Sequence, residues 1–473
     1  MKNMEGMYRR RNMKEENVKT QVQEEKAGKG FTFFYATSVN GTPMLIASII
    51  TSYYALFLTD ELMISAGAAS LIMLIATVWD AINDPLMGVI ADRTHTRFGR
   101  YRPYFLFSPV LLTLFATLMW AKPNFSPNGL FAWVLIMYIG YGMTVTMYTM
   151  PRYSILPAHV KSQEARNRVV MFSTAIVSIV YSIGSTFKVQ MVAFFTDTLG
   201  FENGYIPLML VCGILACVCF WGLFATSKER YIVESKKRPA FQEIGSVLKH
   251  FELYPFIAVW FLASISYGMM FSTSVYYIMY YIARPDLISL YMGIVSVGTM
   301  VSMIVLMPLC LKIFKTGQKI LAFSQIVSII LYVILFIFGG KNLMVLYVLT
   351  FIATSFSGMQ NGLVDIFVND AVDFIQFKDG ASANGVISSI KGFSQKCGNT
   401  VTKAGILFAL GIAGYVANAV GNQPESAMFM INFLRFGIPV VAAAIMLVCI
   451  RFNPIEKYAD EIAEMKRNME TKA

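Results

Sequence analysis

Residues 79–102 read WDAINDPLMGVIADRTHTRFGRYR, a stretch that begins inside a long apolar run and ends in a cluster of arginines. Asp80 and Asp84 therefore fall at a depth where hydrocarbon is expected. Their i, i+4 spacing puts both carboxylates on one helix face, about 6 Å apart, with the Asn83 amide beside them. Pro85 follows at once and has no N–H to give the carbonyl four residues back, that of Ala81, so the same turn offers a free backbone oxygen. Each ionised aspartate in mid-bilayer costs roughly 2.5–3.5 kcal/mol on insertion scales, and two on one face also repel. A bound cation offsets both effects, and carboxylate, amide and carbonyl oxygens are hard ligands that suit a hard cation. The other readings are permanent protonation of one or both acids, or a structural ion pair with a basic side chain on another helix.

Composition sets the class around this stretch. The 473 residues are 56% hydrophobic and 14% charged, and the apolar residues come in runs of about 20 divided by short polar breaks, the pattern of an all-α, polytopic membrane protein. Twelve transmembrane helices are expected, at residues 31–58, 66–91, 104–121, 129–157, 168–195, 205–225, 254–283, 287–311, 320–338, 342–373, 382–413 and 426–450. Residues 226–253 form the longest internal polar stretch and divide the chain into two six-helix bundles, 31–225 and 254–451, flanked by tails at 1–30 and 452–473.

The cations give the expected orientation. Lys and Arg crowd the first tail, residues 92–103, 158–168, 226–250 and 312–319, and the last tail, whereas the alternate loops hold only Lys122, Arg284 and Lys341. This bias places both termini in the cytoplasm of a cell-membrane protein, and it accounts for the net charge of +11 without any nucleic-acid partner. Residues 1–30 lack the short apolar core of a signal peptide and read as a cytoplasmic tail. Cys212, Cys217, Cys219, Cys310, Cys397 and Cys449 lie within expected spans, and His95, His159 and His250 are scattered singly. No metal-ligand spacing, nucleophile elbow or phosphate-binding glycine loop stands in the chain, so no enzyme is expected and no cofactor beyond a coupling ion.

The two halves echo each other at their basic turns. Gly88, Asp92, Arg93, Gly99, Arg100 and Arg102 follow the second span, and Lys312, Lys315, Gly317 and Lys319 follow the eighth. Headgroup anchoring accounts for any one of these cations; the glycines and the Asp92–Arg93 pair point to a closing latch.

Gly88, Asp92, Arg93, Gly99 and Arg100 resemble the loop signature of the major facilitator superfamily. The stretch as a whole, WDAINDPLMGVIADRTHTRFGRYRP, resembles the second helix and following loop of the glycoside-pentoside-hexuronide:cation symporter family, of which the melibiose carrier is a member. The resemblance implies a sodium or proton site at Asp80, Asn83, Asp84 and Thr146. Of the residues the family uses for sugar, the helix-eleven lysine is kept as Lys396. The helix-one acid falls at Met44, the helix-four acid at Thr149 and the helix-five arginine near Ser173. After helix ten, Asp370 and Asp373 match the family's gating acids, while Gln376, Ser382 and Asn384 replace its Glu, Arg and Glu.

Asn361, Asp365, Asp370, Lys391, Lys396 and Lys403 are dense for two apolar helices. Lys396 and Lys403 share a face and Lys391 points elsewhere. Either an acid such as Asp365 neutralises one lysine, or the lysines meet a negatively charged substrate. Tyr153, one turn beyond Thr149, is placed to stack on a sugar ring; its neighbour Arg152 reads as cytoplasm-facing and structural, and Tyr276, Tyr277, Tyr280 and Tyr281 read as an interfacial belt. The expectation is a cation-coupled carrier of a small-molecule glycoside or uronide, with Lys396, Thr149, Tyr153, Lys391 and Asn361 at the substrate and Asp92, Arg93, Arg100, Asp370 and Asp373 at the gate. A carrier of a non-sugar organic solute and a transporter-like sensor are the alternatives.

Overall fold

The computed structural model describes residues 27–160, 163–231, 245, 247–314, 316–379, 384–453, 458, 461, 462 and 464. Among these, the regular structure is helical, joined by turns and coil, with one isolated bridge between Thr96 and Gly99. The rods are α1 (Lys29–Glu61), α2 (Ala66–Arg93), α3 (Arg102–Leu118), α4 (Pro127–His159), α5 (Gln163–Ala193) and α6 (Tyr205–Thr226). A second set follows, α7 (Phe251–Tyr281), α8 (Pro285–Phe314), α9 (Gly317–Phe338), α10 (Leu343–Asp379), α11 (Asn384–Ile412) and α12 (Glu425–Arg451). Ten helices among the described residues are long and apolar enough to cross a membrane; α3 is shorter, and α11 carries Lys391, Lys396 and Lys403. Residues 232–244 of the expected linker lie outside the described residues, as do Lys315 and Ser382.

Local chemistry sets the helix ends. The Ser65 hydroxyl accepts from Ala68 N to open α2, and Ser126, with Pro127 behind it, accepts from Gly129 N to open α4. Asn342 accepts from the amides of Met344 and Val345 at the start of α10. In the basic turn, Gly99 takes φ +109°, a left-handed conformation that a side chain rarely adopts. This turn aims the amides of Arg100, Tyr101 and Arg102 at the Glu229 carboxylate, at 2.8, 2.8 and 3.0 Å. An acid at the first turn of α3 satisfies donors the helix leaves unpaired and complements its dipole.

Within the first set α3 packs on α6 and α4, and α2 on α4; within the second, α7 packs on α11 and α12, and α8 and α9 on α10. The two bundles meet along α2 with α11, α5 with α8, and α1 with α7. At the end remote from the Gly99 loop this seam is polar and closed. Asp60, buried where α1 widens into a π turn, accepts hydrogen bonds from the hydroxyls of Thr59 at 2.7 Å, Tyr415 at 2.6 Å and Tyr280. Asn418 Nδ2 donates to the Asp60 carbonyl at 2.8 Å, and Ser272 Oγ donates to the Thr51 carbonyl at 2.9 Å. The tyrosines of α7 are therefore not an interfacial belt: Tyr276, Tyr277 and Tyr280 are buried, because they pack between the bundles and Tyr280 serves the Asp60 carboxylate.

Hydrogen bonds to a charged acceptor are worth about 1.5–3 kcal/mol each, so Asp60→Ala is expected to open this end. With Ser272→Cys as reporter in a chain without its native cysteines, the rate of labelling by an impermeant thiol reagent should rise on the order of tenfold. An unchanged rate would mean that the seam is held by packing alone.

Candidate functional site

Helix α2 runs unbroken through Pro85, so Asp80, Asn83 and Asp84 leave it within about one turn of each other. Asp84 is the junction. Its Oδ1 accepts from the Thr146 hydroxyl of α4 at 2.7 Å, and its Oδ2 is ion-paired with the Lys396 ammonium of α11. Thr146 also lies 3.3 Å from the Gly142 carbonyl, one turn back on its own helix. The second alternative for the intramembrane acids, a basic partner from another helix, thus holds for Asp84. The partner belongs to the opposite bundle and is not sealed in: the Lys396 side chain is 39% exposed and that of Asp84 15%.

Asp80 sits differently. Its Oδ1 is buried without a hydrogen-bond partner and is pressed against the backbone of α4 at Gly142, where any Cβ would overlap the carboxylate. The charges that act on it are those of Lys403 and Lys396, both from α11. Lys403 donates to the Tyr138 hydroxyl at 3.2 Å, and Tyr138 in turn stacks on Tyr54 of α1 with ring centres 5.5 Å apart. Asn83 is buried next to the pair, and its amide nitrogen makes no hydrogen bond. Two carboxylates, one amide and one hydroxyl converge here, with the Lys396 ammonium on Asp84. That donor set suits a small hard cation or a proton.

The remaining expected residues distribute around this centre. Lys391 is ion-paired with Asp365 of α10, away from Lys396 as their spacing on α11 requires. Thr149 is half-buried and Tyr153 is 62% exposed, both following Thr146 down α4. Asn361 is half-buried where α10 restarts after Gly358. In the expected latch, Arg93 is exposed, and the Arg100 amide is held by Glu229 of the same bundle. Asp370 and Asp373 are half-buried and engaged, and the side chain of Asp92 lies outside the described ones.

Two features escape the sequence reading. Asp60 stands at the end of a span, where an acid looks solvated, and its hydroxyl partners come from α7 and the segment after α11. Arg152 does not face the cytoplasm. It is buried because two other helices provide for it: Nη2 donates to Ser173 Oγ of α5 at 2.6 Å, Asn40 of α1 donates to that same oxygen at 2.7 Å, and the guanidinium lies 4.5 Å from the ring centre of Tyr35, also of α1. Its Nε has no partner, and no described carboxylate pairs with it.

Gly142→Ala should displace the Asp80 carboxylate from its place beside α4. Overpacking of this kind costs about 1–3 kcal/mol, so sodium or proton affinity is expected to fall on the order of tenfold. Thermal-shift titration with sodium at two pH values reads this. Gly140→Ala, which meets the Phe115 ring rather than Asp80, should lower stability and leave the cation midpoint in place.

Known proteins resemble this chain over most of its length. An isoprimeverose transporter of Lactiplantibacillus pentosus is 27% identical over 420 residues, covering 87% of this chain and 85% of the relative. A glucuronide carrier protein homolog of Escherichia coli (strain K12) is 23% identical over 432 residues, 89% of this chain and 91% of the relative. A solved bacterial homolog of the human lysosomal transporter Spinster, in an inward-facing and occupied conformation, superposes with a TM-score of 0.60 at 13% identity, over 89% of this chain and 96% of that one. The family described as MFS/sugar transport protein matches residues 38–457. With its many apolar helices in two bundles and Asp84 paired across them with Lys396, the chain is a multi-pass membrane protein that belongs to the MFS/sugar transport family.

Proposed function

We propose that this chain carries a glycoside-type sugar across the cell membrane together with Na+ or H+, by alternating access between its two bundles. The observation that carries the reading is the Asp84–Lys396 pair: the acid belongs to α2 of the first bundle and the ammonium to α11 of the second. A cation that takes Asp80 and Asp84 must displace Lys396. The freed ammonium is then available to the substrate, and cation and sugar favour each other's binding by the same factor, because coupling is reciprocal. The closed seam at Asp60 would be the outer one if the termini are cytoplasmic, as the distribution of Lys and Arg suggests.

An acidic sugar fits best. Lys391 is already neutralised by Asp365, whereas Arg152 holds its guanidinium at Ser173 without an acid. That is where the resemblance places the family's helix-five arginine. The Nε–Nη2 edge of Arg152 suits the bidentate pairing that a carboxylate makes. Tyr153, next in the chain and exposed, supplies a ring for the sugar face.

The test is uptake into proteoliposomes of labelled neutral glycosides and uronides, with and without an inward sodium or proton gradient. Uphill accumulation of a uronide is expected in the wild type and should vanish in Asp84→Cys. Arg152→Gln should raise the KM for the uronide on the order of tenfold or more, the loss of a hydrogen bond to a charged group, while leaving any neutral glycoside uptake intact. Equilibration that no gradient drives uphill would end the symport reading, and equal loss for both substrates would assign Arg152 a structural role.

A further inference from the structure

Arg435 lies in the second bundle, on the π turn Phe433–Gly437 of α12, and its side chain is 0% exposed. Nε, Nη1 and Nη2 are all buried and make no well-aligned hydrogen bond, although the Tyr332 hydroxyl lies near enough to serve the group, and no described carboxylate pairs with it. The guanidinium carbon stands 5.5 Å from the ring centre of Tyr291 and 4.8 Å from that of Phe436. Cation–π contacts at this range contribute roughly 0.5–2 kcal/mol. Burying an unpaired ion costs several kcal/mol even after relaxation, so the rings alone leave the charge uncompensated.

The surroundings consist of hydroxyls. Tyr277 and Tyr332 both lie within electrostatic reach of Arg435, and the Tyr277 hydroxyl is buried and unpartnered. The Tyr291 hydroxyl is 3.3 Å from Thr350 Oγ1, and that of Tyr332 is 2.9 Å from Ser357 Oγ. Asn432, three residues before Arg435, has a buried unpaired Oδ1; it is neutral, so it satisfies a donor without balancing a charge. One positive group faced by phenolic O–H donors, with every lining ring almost fully buried, matches the chemistry of a small monovalent anion stripped of water.

We propose that Arg435, with the hydroxyls of Tyr277, Tyr291 and Tyr332, holds a chloride ion within the second bundle, apart from the transport site. The ion balances the guanidinium and ties α7, α8, α9 and α12 together around it. Chloride bound only in the folded state stabilises the protein by mass action. Gly339 at the end of α9 lies beside the Tyr277 hydroxyl, which places the site toward the end of the bundle that Asp60 closes.

The experiment is thermal unfolding of the purified full chain, moved from sodium gluconate into sodium chloride at constant sodium and ionic strength. The wild-type Tm should rise with chloride and saturate, and Asp84→Cys should keep the response, since the transport acids are not involved. Arg435→Met, which replaces the charge by an apolar chain of similar length, should lose it. Tyr277→Phe should raise the half-saturating chloride concentration on the order of tenfold, the loss of one hydrogen bond to an ion. A wild-type Tm equal in the two salts, or an undiminished chloride response in Arg435→Met, would overturn the proposal. Should Arg435→Met fail to fold, an unchanged half-saturation in Tyr277→Phe would overturn it equally.

Discussion

An ionised carboxylate inside an apolar helix bundle has to be neutralised, and Asp84 is neutralised from the opposite bundle. Lys396 reaches it from α11, while Thr146 of α4 satisfies the other carboxylate oxygen. Charge balance and the packing of α2 on α11 are therefore a single requirement. In the proposed transport cycle, a cation that takes Asp84 releases the ammonium, and a substrate that draws off the ammonium leaves the carboxylate in need of a cation. Because the pair is partly open to solvent, exchange of partners needs no deep unpacking. In hydrocarbon alone the cost of leaving either charge bare would prevent it.

The same constraint is met by other means at the far end of the seam. Asp60 is balanced by hydrogen bonds from Thr59, Tyr280 and Tyr415, not by a cation. Hydroxyls from α7 and the segment after α11 thus close the bundles over a buried acid, and parting the bundles would expose that acid to water. Water can replace the hydroxyls, so the closure is strong when dry and weak once wetted. That property suits a gate better than a permanent ion pair would.

Cations without acids complete the arrangement. Arg152 lies among α1, α4 and α5 with only Ser173, Asn40 and the Tyr35 ring around it. Arg435 lies among rings and hydroxyls in the other bundle. Neither finds its counter-charge on the described chain, and each is a place where an anion has something to gain. The difference between them is access: Arg152 adjoins the exposed Tyr153, whereas the rings around Arg435 are closed.

Helix class, bundle number and the acid pair were legible in the chain because they follow from local quantities: runs of apolar length, the i, i+4 spacing of Asp80 and Asp84, and the basic turns. The likeness of residues 79–102 to a known family added Asn83 and Thr146 to that pair. Spacing on α11 also separated Lys391 from Lys396 and Lys403, as the structure does. Partner choice was not legible. That Asp84 takes Lys396 and Lys391 takes Asp365, that Gly142 makes room for Asp80, and that Tyr280 leaves the interface to serve Asp60 depend on residues tens to hundreds of positions apart. Periodicity says which face of a helix a residue occupies; which face of another helix it meets is decided by how twelve rods pack, and only there does a buried charge find what neutralises it.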